Sequence, residues 1–254
     1  MDLIDTHCHL QFDKLAQNIE EVMSGAKAAG VTRLVCVGTS AADSRQCADI
    51  ADRFDNVWAA VGAHPHDGKD FDYEHSLKIL EGLTGRPKVV AFGEIGLDFY
   101  KDYSPREDQE KLFRSQLEVA LKAKLPVIFH VRDAWKDFWR ITEDYGGLPA
   151  VVHSFSSGRK QMDRIVDKGW YVGLNGIMTF TRDQAQLEAA RLIPKERLLL
   201  ETDAPFLTPE PFRGQVCEPK HTRATAGFLA DLRQETLEEL AEYTTANAVK
   251  LFGI

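Results

Sequence analysis

Val89-Val90-Ala91-Phe92-Gly93-Glu94-Ile95-Gly96 opens with four consecutive apolar residues and runs into an acid held between glycines. An apolar run of this length, without polar alternation, suits a strand covered on both faces, as in a parallel sheet. The pattern recurs in both directions from it. Leu3-Ile4 runs into Asp5-Thr6-His7-Cys8-His9, Leu34 to Val37 forms the next run, and Val57 to Val61 leads into Gly62-Ala63-His64-Pro65-His66. Val127-Ile128-Phe129 ends at His130 and Ala150-Val151-Val152 at His153. Trp170 to Leu174 follows, and Leu198-Leu199-Leu200 runs into Glu201-Thr202-Asp203, which completes eight runs.

The segments between them read as helices. Asn18 to Gly30, Glu107 to Lys124 (stopping before Pro126) and Gln161 to Lys168 carry apolar residues at helical spacing. Strands and helices alternating over 254 residues predict a single (β/α)8 TIM-type barrel domain spanning residues 1–254. The alternative is an open doubly wound sheet, but the GxGxxG fingerprint that would follow its first strand is absent. Proline-rich Ala204 to Pro219 reads as one long loop after the eighth strand, a length that often serves function.

Composition bounds the chemistry. Lys and Arg total 31 against 39 Asp and Glu, a net charge of −8, and 44% of residues are hydrophobic. A folded globular chain is expected, without the broad basic face of a protein that coats duplex nucleic acid. An enzyme that takes one phosphodiester end into a small site is still allowed. Cys8, Cys36, Cys47 and Cys217 form no CxxC pair and read as reduced thiols of a cytoplasmic protein. No basic-then-apolar leader is visible, and no apolar run approaches the ~18–20 residues of a membrane-spanning helix. No membrane association and no obligate protein partner are expected.

Histidines and acids sit where the apolar runs end. In a barrel those ends meet on one face, where active sites are built. His7 and His9, two residues apart, point to one side of an extended strand. With Glu94, His130, His153 and Asp203 they make six nitrogen and oxygen donors suited to Zn²⁺, Mn²⁺ or Mg²⁺. Six exceed one tetrahedral site, whereas two ions ~3.5–4 Å apart could share a bridging acid and serve an in-line displacement at phosphorus. Each residue also has a plainer reading. An isolated HxH is commonly incidental, Glu94 could be a buried ion-pair partner, and His130 and His153 could be satisfied core histidines. Asp5 either braces the first strand or supports a ligand from behind. Arg132 is a phosphate clamp or the ion-pair partner of Asp133 or Asp137. Ser154, Ser156 and Ser157 cap the helix starting near Arg159 or bind an anion there. Tyr100, Phe155 and Phe206 pack at the barrel mouth or stack on a base. His75 and His221 are assigned to a surface helix and a helix start.

Taken in order, Asp5-Thr6-His7-Cys8-His9-Leu10, Gly62-Ala63-His64-Pro65, Gly93-Glu94-Ile95-Gly96-Leu97-Asp98, Phe129-His130-Val131-Arg132, Val152-His153-Ser154-Phe155, Glu201-Thr202-Asp203-Ala204-Pro205 and Thr245-Ala246-Asn247-Ala248 resemble the TatD family of metal-dependent deoxyribonucleases, within the amidohydrolase-like barrels. The resemblance covers nearly the whole chain. It implies a hydrolase of DNA phosphodiester bonds, a 3′→5′ exonuclease preferring single strands, that uses a two-metal activated water. DNA ends or short single-stranded nucleic acid would be the substrate. It further implies that His7, His9, Glu94 and Asp203 hold one ion and Glu94, His130 and His153 the other, Glu94 bridging. Mg²⁺ or Mn²⁺ would activate, with Zn²⁺ admissible. Asp203 would orient or deprotonate the water, His64 would contact the scissile phosphate, and Glu201 would support the site. Two departures stand out. Gln11 replaces a frequent Asp, and Arg213-Gly214-Gln215-Val216-Cys217-Glu218-Pro219 lacks two basic residues and an asparagine common in that loop, which implies weaker attraction for a polyanion. A C–N bond hydrolase acting on a small cyclic substrate is the alternative; such barrels often bridge their metals with a carboxylated lysine, and no lysine closes strands three to five.

Overall fold

A computed structural model describes residues 1–101 and 103–254. The strands are β1 (Leu3–Cys8), β2 (Val31–Val37), β3 (Val57–Val61), β4 (Val89–Asp98), β5 (Val127–Arg132), β6 (Ala150–Val152), β7 (Tyr171–Leu174) and β8 (Leu198–Leu200). The helices are α1 (Asp13–Ala16), α2 (Ile19–Ala28), α3 (Ala41–Arg53), α4 (Ser76–Leu83), α5 (Arg106–Ala123), α6 (Trp135–Thr142), α7 (Arg159–Asp167), α8 (Ile177–Phe180), α9 (Gln184–Leu192), α10 (Thr222–Arg233) and α11 (Leu237–Phe252). Each predicted strand is found. Four run further than their apolar cores: β1 continues past Ile4 to Cys8, β2 begins at Val31, β4 continues past Phe92 to Asp98, and β5 through His130 to Arg132. Glu94 and His130 therefore lie within strands rather than beyond their ends.

Strand order follows chain order, β1 to β8. The pairs β1–β2, β3–β4, β4–β5, β5–β6 and β7–β8 are parallel. A parallel bridge between Cys8 and Ala204 lays the segment after β8 beside β1. This is (β/α)8 barrel topology, as expected from the spacing of the runs. Among the described residues, no helix is long and apolar enough to cross a membrane.

By internal packing the chain forms two compact units, Met1–Cys36 with His153–Ile254, and Val37–Val152. In the first, β1 and β8 are stitched together near their carboxyl ends: Asp203 N donates to His7 O at 2.8 Å and His9 N to Ala204 O at 2.7 Å. Asn247 of α11 donates to the carbonyls of Lys195 and Leu198 at 2.8 and 2.9 Å, which fixes the start of β8. The Thr245-Ala-Asn-Ala motif thus serves the scaffold. α11 itself starts on a Thr236/Glu239 capping box.

In the second unit, Phe113, Phe129 and Phe138 form an aromatic core with ring centroids 5.1 to 6.0 Å apart. Two buried glutamines of α5 clamp strand ends from behind. Gln116 bonds both N–H and C=O of Ala63, at 2.7 and 2.9 Å. Gln109 does the same at Asp98, both bonds 2.9 Å. Each side-chain amide satisfies the backbone N–H and C=O of one residue and is itself paired through its oxygen and its nitrogen. The residues so fixed are the ones that deliver His64 and Asp98.

Gly96, between Glu94 and Asp98, has φ +151°, and an added Cβ would lie 1.9 Å from the His130 carbonyl oxygen. Gly96→Ala is expected to destabilise the protein by at least about 3 kcal/mol. In helical α4, nothing lies within 4 Å of a Cβ at Gly82, so Gly82→Ala should stabilise by about 0.5–1 kcal/mol. Urea unfolding of the two variants checks both signs.

Candidate active site

In the first unit, His7 and His9 of the β1 end face Asp203. Their Nε2 atoms lie 3.7 and 3.2 Å from the same oxygen, Asp203 Oδ1. The His7 and His153 rings stack with centroids 4.0 Å apart. His7, His153 and Asp203 each offer a ligand atom, all within 4.8 Å of one another. A divalent ion with bonds of about 2.0–2.2 Å holds nitrogen and oxygen donors roughly 3 to 4 Å apart, and the His7–Asp203 separation lies in that range. Burial pushes the Asp203 carboxyl upward, but the bond from His9 and the neighbouring His7 and His153 outweigh it and hold the pKa below the usual carboxylate value. Asp203 is therefore an anion. Its backbone, and that of Ser154 after β6, is left-handed, φ +63° and +49°, which turns the chain sharply just where donors are presented.

Two acids stand behind these donors. Buried Glu201 accepts from Ser154 N at 2.6 Å and Asn175 Nδ2 at 3.3 Å, and lies 3.6 Å from His153 Nδ1. Asp5 accepts from His7 N at 3.2 Å, Thr202 N at 2.9 Å and Thr202 Oγ1 at 2.6 Å. Complete burial drives the Asp5 pKa up to about 8 against those bonds. Asp5 thus braces β1 against the segment carrying Asp203, one of the two roles its position suggested.

In the second unit, His130 Nδ1 lies 3.2 Å from Glu94 Oε2, and its Nε2 lies 3.3 Å from Asp98 Oδ2. His66 Nε2 approaches the same Asp98 oxygen at 3.1 Å. The Asp98 carboxyl is pushed up by burial, but bonds from His130 and the Lys101 N–H, with the His66 charge, bring it well below the usual range. His64, in the turn after β3, accepts the His66 N–H on Nδ1 at 3.2 Å. A lone pair on Nδ1 puts the proton of the neutral ring on Nε2. Burial, reinforced by His130, holds the His64 pKa well below its ordinary value. His64 is thus held neutral, and it also offers a ligand atom within 4.8 Å of those of Glu94 and His130, and of those of His66 and Asp98.

Other expectations fare differently. α7 starts on Gly158 with no side-chain cap. Ser154 is instead drawn to Asn175, whose Nδ2 donates to its Oγ at 2.9 Å, so the serine-cap reading fails. Among the described residues Arg132 forms no ion pair with Asp133 or Asp137; Asp137 pairs with Arg140 at 3.0 Å, while the Arg132 guanidinium lies 3.8 Å above the Tyr100 ring. Phe155 is buried and packs; Tyr100 and Phe206 are exposed. His75 is exposed just before α4, and His221 is buried at the start of α10, bonding Glu218 N at 3.0 Å. The four cysteines are free and buried.

Asp98 and His66 are the residues sequence reasoning passed over. A signal existed: Glu94, Gly96 and Asp98 alternate along β4 and so share one face, which puts a second carboxylate beside the first.

Strand-end imidazoles and carboxylates on a (β/α)8 scaffold place the chain among the barrel hydrolases. Residues 4–253 match the family described as TatD related DNase, and the chain belongs to that family. It is accordingly a hydrolase acting on ester bonds. Among its relatives, the uncharacterized metal-dependent hydrolase YabD of Bacillus subtilis is 37% identical over 254 residues, covering 99% of both chains. The 3′-5′ ssDNA/RNA exonuclease TatD of Escherichia coli K12 is 36% identical over 260 residues, again 99% of each. Among solved structures, the TatD homologue YJJV of Escherichia coli K12 superposes with a TM-score of 0.92 at 32% identity, covering 99% of this chain and 98% of that one.

A depressed carboxyl pKa means stability that is present above the unfolded value of about 3.9 and lost as pH falls through the folded one. Asp98→Asn, measured by urea unfolding with a chelator present, is expected to cost about 1–3 kcal/mol at pH 7. That deficit should narrow progressively as pH falls below about 4, where the unfolded chain's carboxyl takes up its proton while the folded one is still ionised.

Proposed function

We propose that the chain hydrolyses phosphodiester bonds at DNA ends, as a 3′→5′ exonuclease preferring single strands, and works with two divalent ions, Mg²⁺ or Mn²⁺. Zn²⁺ is also compatible with the donor set. The observation that carries the reading is the convergence of His7 and His9 on one oxygen of an ionised Asp203, with the Glu94–His130 pair as a second mixed donor group. The names of its relatives supply the substrate class. His7, His9 and Asp203 with Glu94 would hold one ion, and His130 and His153 with Glu94 the other. When bound, such ions acidify water and neutralise charge developing at phosphorus.

The remaining work falls to side chains. Asp203, ionised and aimed by His9, takes the proton of the attacking water. His64 donates its Nε2–H to a non-bridging phosphoryl oxygen, and its low basicity keeps that ring neutral at working pH. Arg132, steadied on Tyr100, meets the phosphate with paired N–H groups. Glu201 holds His153 in place from behind, and Asp5 ties the strand carrying His7 to the turn carrying Asp203. Groups of this kind, which fix a ligand's orientation, typically change metal affinity or activity by about 10–100-fold when removed.

Single-stranded oligonucleotides labelled at either end, incubated with Mg²⁺, Mn²⁺, Co²⁺ or Zn²⁺, test the proposal. Mononucleotides should be released from the 3′ end. A chelator should stop the reaction and added Mn²⁺ restore it, and Glu94→Ala should fall to background because both donor groups lose their common carboxylate. Intact oligonucleotide with all four ions would overturn the reading.

A further inference from the structure

Three residues past Asp203, the chain presents an aromatic ring that neither the scaffold nor the donor set uses. Phe206 is 46% exposed, although its backbone is tightly held. Its N–H bonds Asp203 O at 2.9 Å, and flanking Pro205 accepts from Cys217 N at 3.2 Å. Asp203 and Leu207 on either side are both left-handed, at φ +63° and +55°. The ring meets Phe12 and His9 at steep angles, with centroids 6.0 and 6.3 Å away, while Phe12 and His9 stack on each other at 4.9 Å. An apolar ring is thus fixed at the water's edge beside a proposed metal ligand, on a segment whose geometry is set by that ligand's partner.

The surrounding loop supplies little charge. Arg213, its sole arginine, lies 4.0 Å above the Phe180 ring and donates to Thr208 O at 2.7 Å. Its cation is thus engaged by α8 and by the loop's own backbone. Tyr100 and Tyr103, exposed aromatics of the other unit, are already engaged: Tyr100 carries Arg132 against its ring, and Tyr103 meets the His66 ring edge-on at 4.8 Å. Among the described residues Phe206 carries no cation against its ring.

We infer that Phe206 is the stacking platform for the nucleobase of the nucleotide being released, so that the base, and not loop cations, secures the substrate end. The inference rests on the phosphodiesterase reading above. It deepens that reading by giving single-strand preference a physical origin. A base paired and stacked within a duplex does not offer its π-face to a protein ring, whereas an unpaired terminal base does. Stacking of this kind is indifferent to which base is present, as an exonuclease requires.

The test compares wild type, Phe206→Ala and Phe206→Trp on two single-stranded oligonucleotides, one with an ordinary 3′-terminal nucleotide and one ending in an abasic residue. For the ordinary end, Phe206→Ala should lower kcat/KM by about 5- to 150-fold, the range expected for one lost base–aromatic stack, mostly through KM. Phe206→Trp should retain wild-type values. On the abasic end all three proteins should perform alike. An equal loss on both substrates would mean that Phe206 only supports His9, and would overturn the inference, as would an unchanged Phe206→Ala. Failure of the wild type to cleave either oligonucleotide removes the phosphodiesterase reading itself, and this inference with it.

Discussion

An ionised carboxylate out of water must be answered by donors or countercharge, and in this chain Asp203 is answered by imidazoles. Two nitrogens, from His7 and His9, face one oxygen of Asp203. Much of the local structure exists to keep them there. The backbone bonds between the ends of β1 and the segment after β8 set the spacing, and Asp5 clasps Thr202 on the other side of the same seam. The left-handed turn at Asp203 is the conformational cost of aiming its side chain at β1.

The second group is organised by different means. Its strand ends are held from outside, by amides on the buried face of α5, so that His64 and Asp98 are delivered by backbone whose N–H and C=O are both bonded at Ala63 and at Asp98. Position fixes chemistry here. Because the turn after β3 sends the His66 N–H into His64 Nδ1, the tautomer of His64 is a property of the backbone. A shared acid links His66 to His130. Imidazoles of one chemical type thus stand in different settings: His7, His9 and His130 converge on carboxylates, while His64 accepts a backbone N–H.

The strands were legible because parallel strands buried on both faces must be apolar throughout, and Val57 to Val61 or Leu198 to Leu200 could hardly be anything else. Their extensions were not, since Glu94 and Asp98 in β4 interrupt the apolar run that signals a strand. The histidines and acids that meet in each unit stood out in the sequence because such residues at a strand end are unusual. Asp98 was hidden by lying inside β4, and Gln109 and Gln116 by looking like the solvent side of an amphipathic helix. The serine cap at α7 misled for a physical reason: the buried Glu201 and Asn175 offer Ser154 a better-fixed set of partners than a helix end would. No local pattern encodes that contest.

The unit that holds His7, His9, His153 and Asp203 is assembled from both ends of the chain, and the bonded pair His9–Asp203 spans 194 positions. During synthesis, β1 has to wait for nearly the whole polypeptide before its partner leaves the ribosome. A nascent chain, or one truncated before the end of β8, therefore lacks the carboxylate that His7 and His9 face in the finished fold.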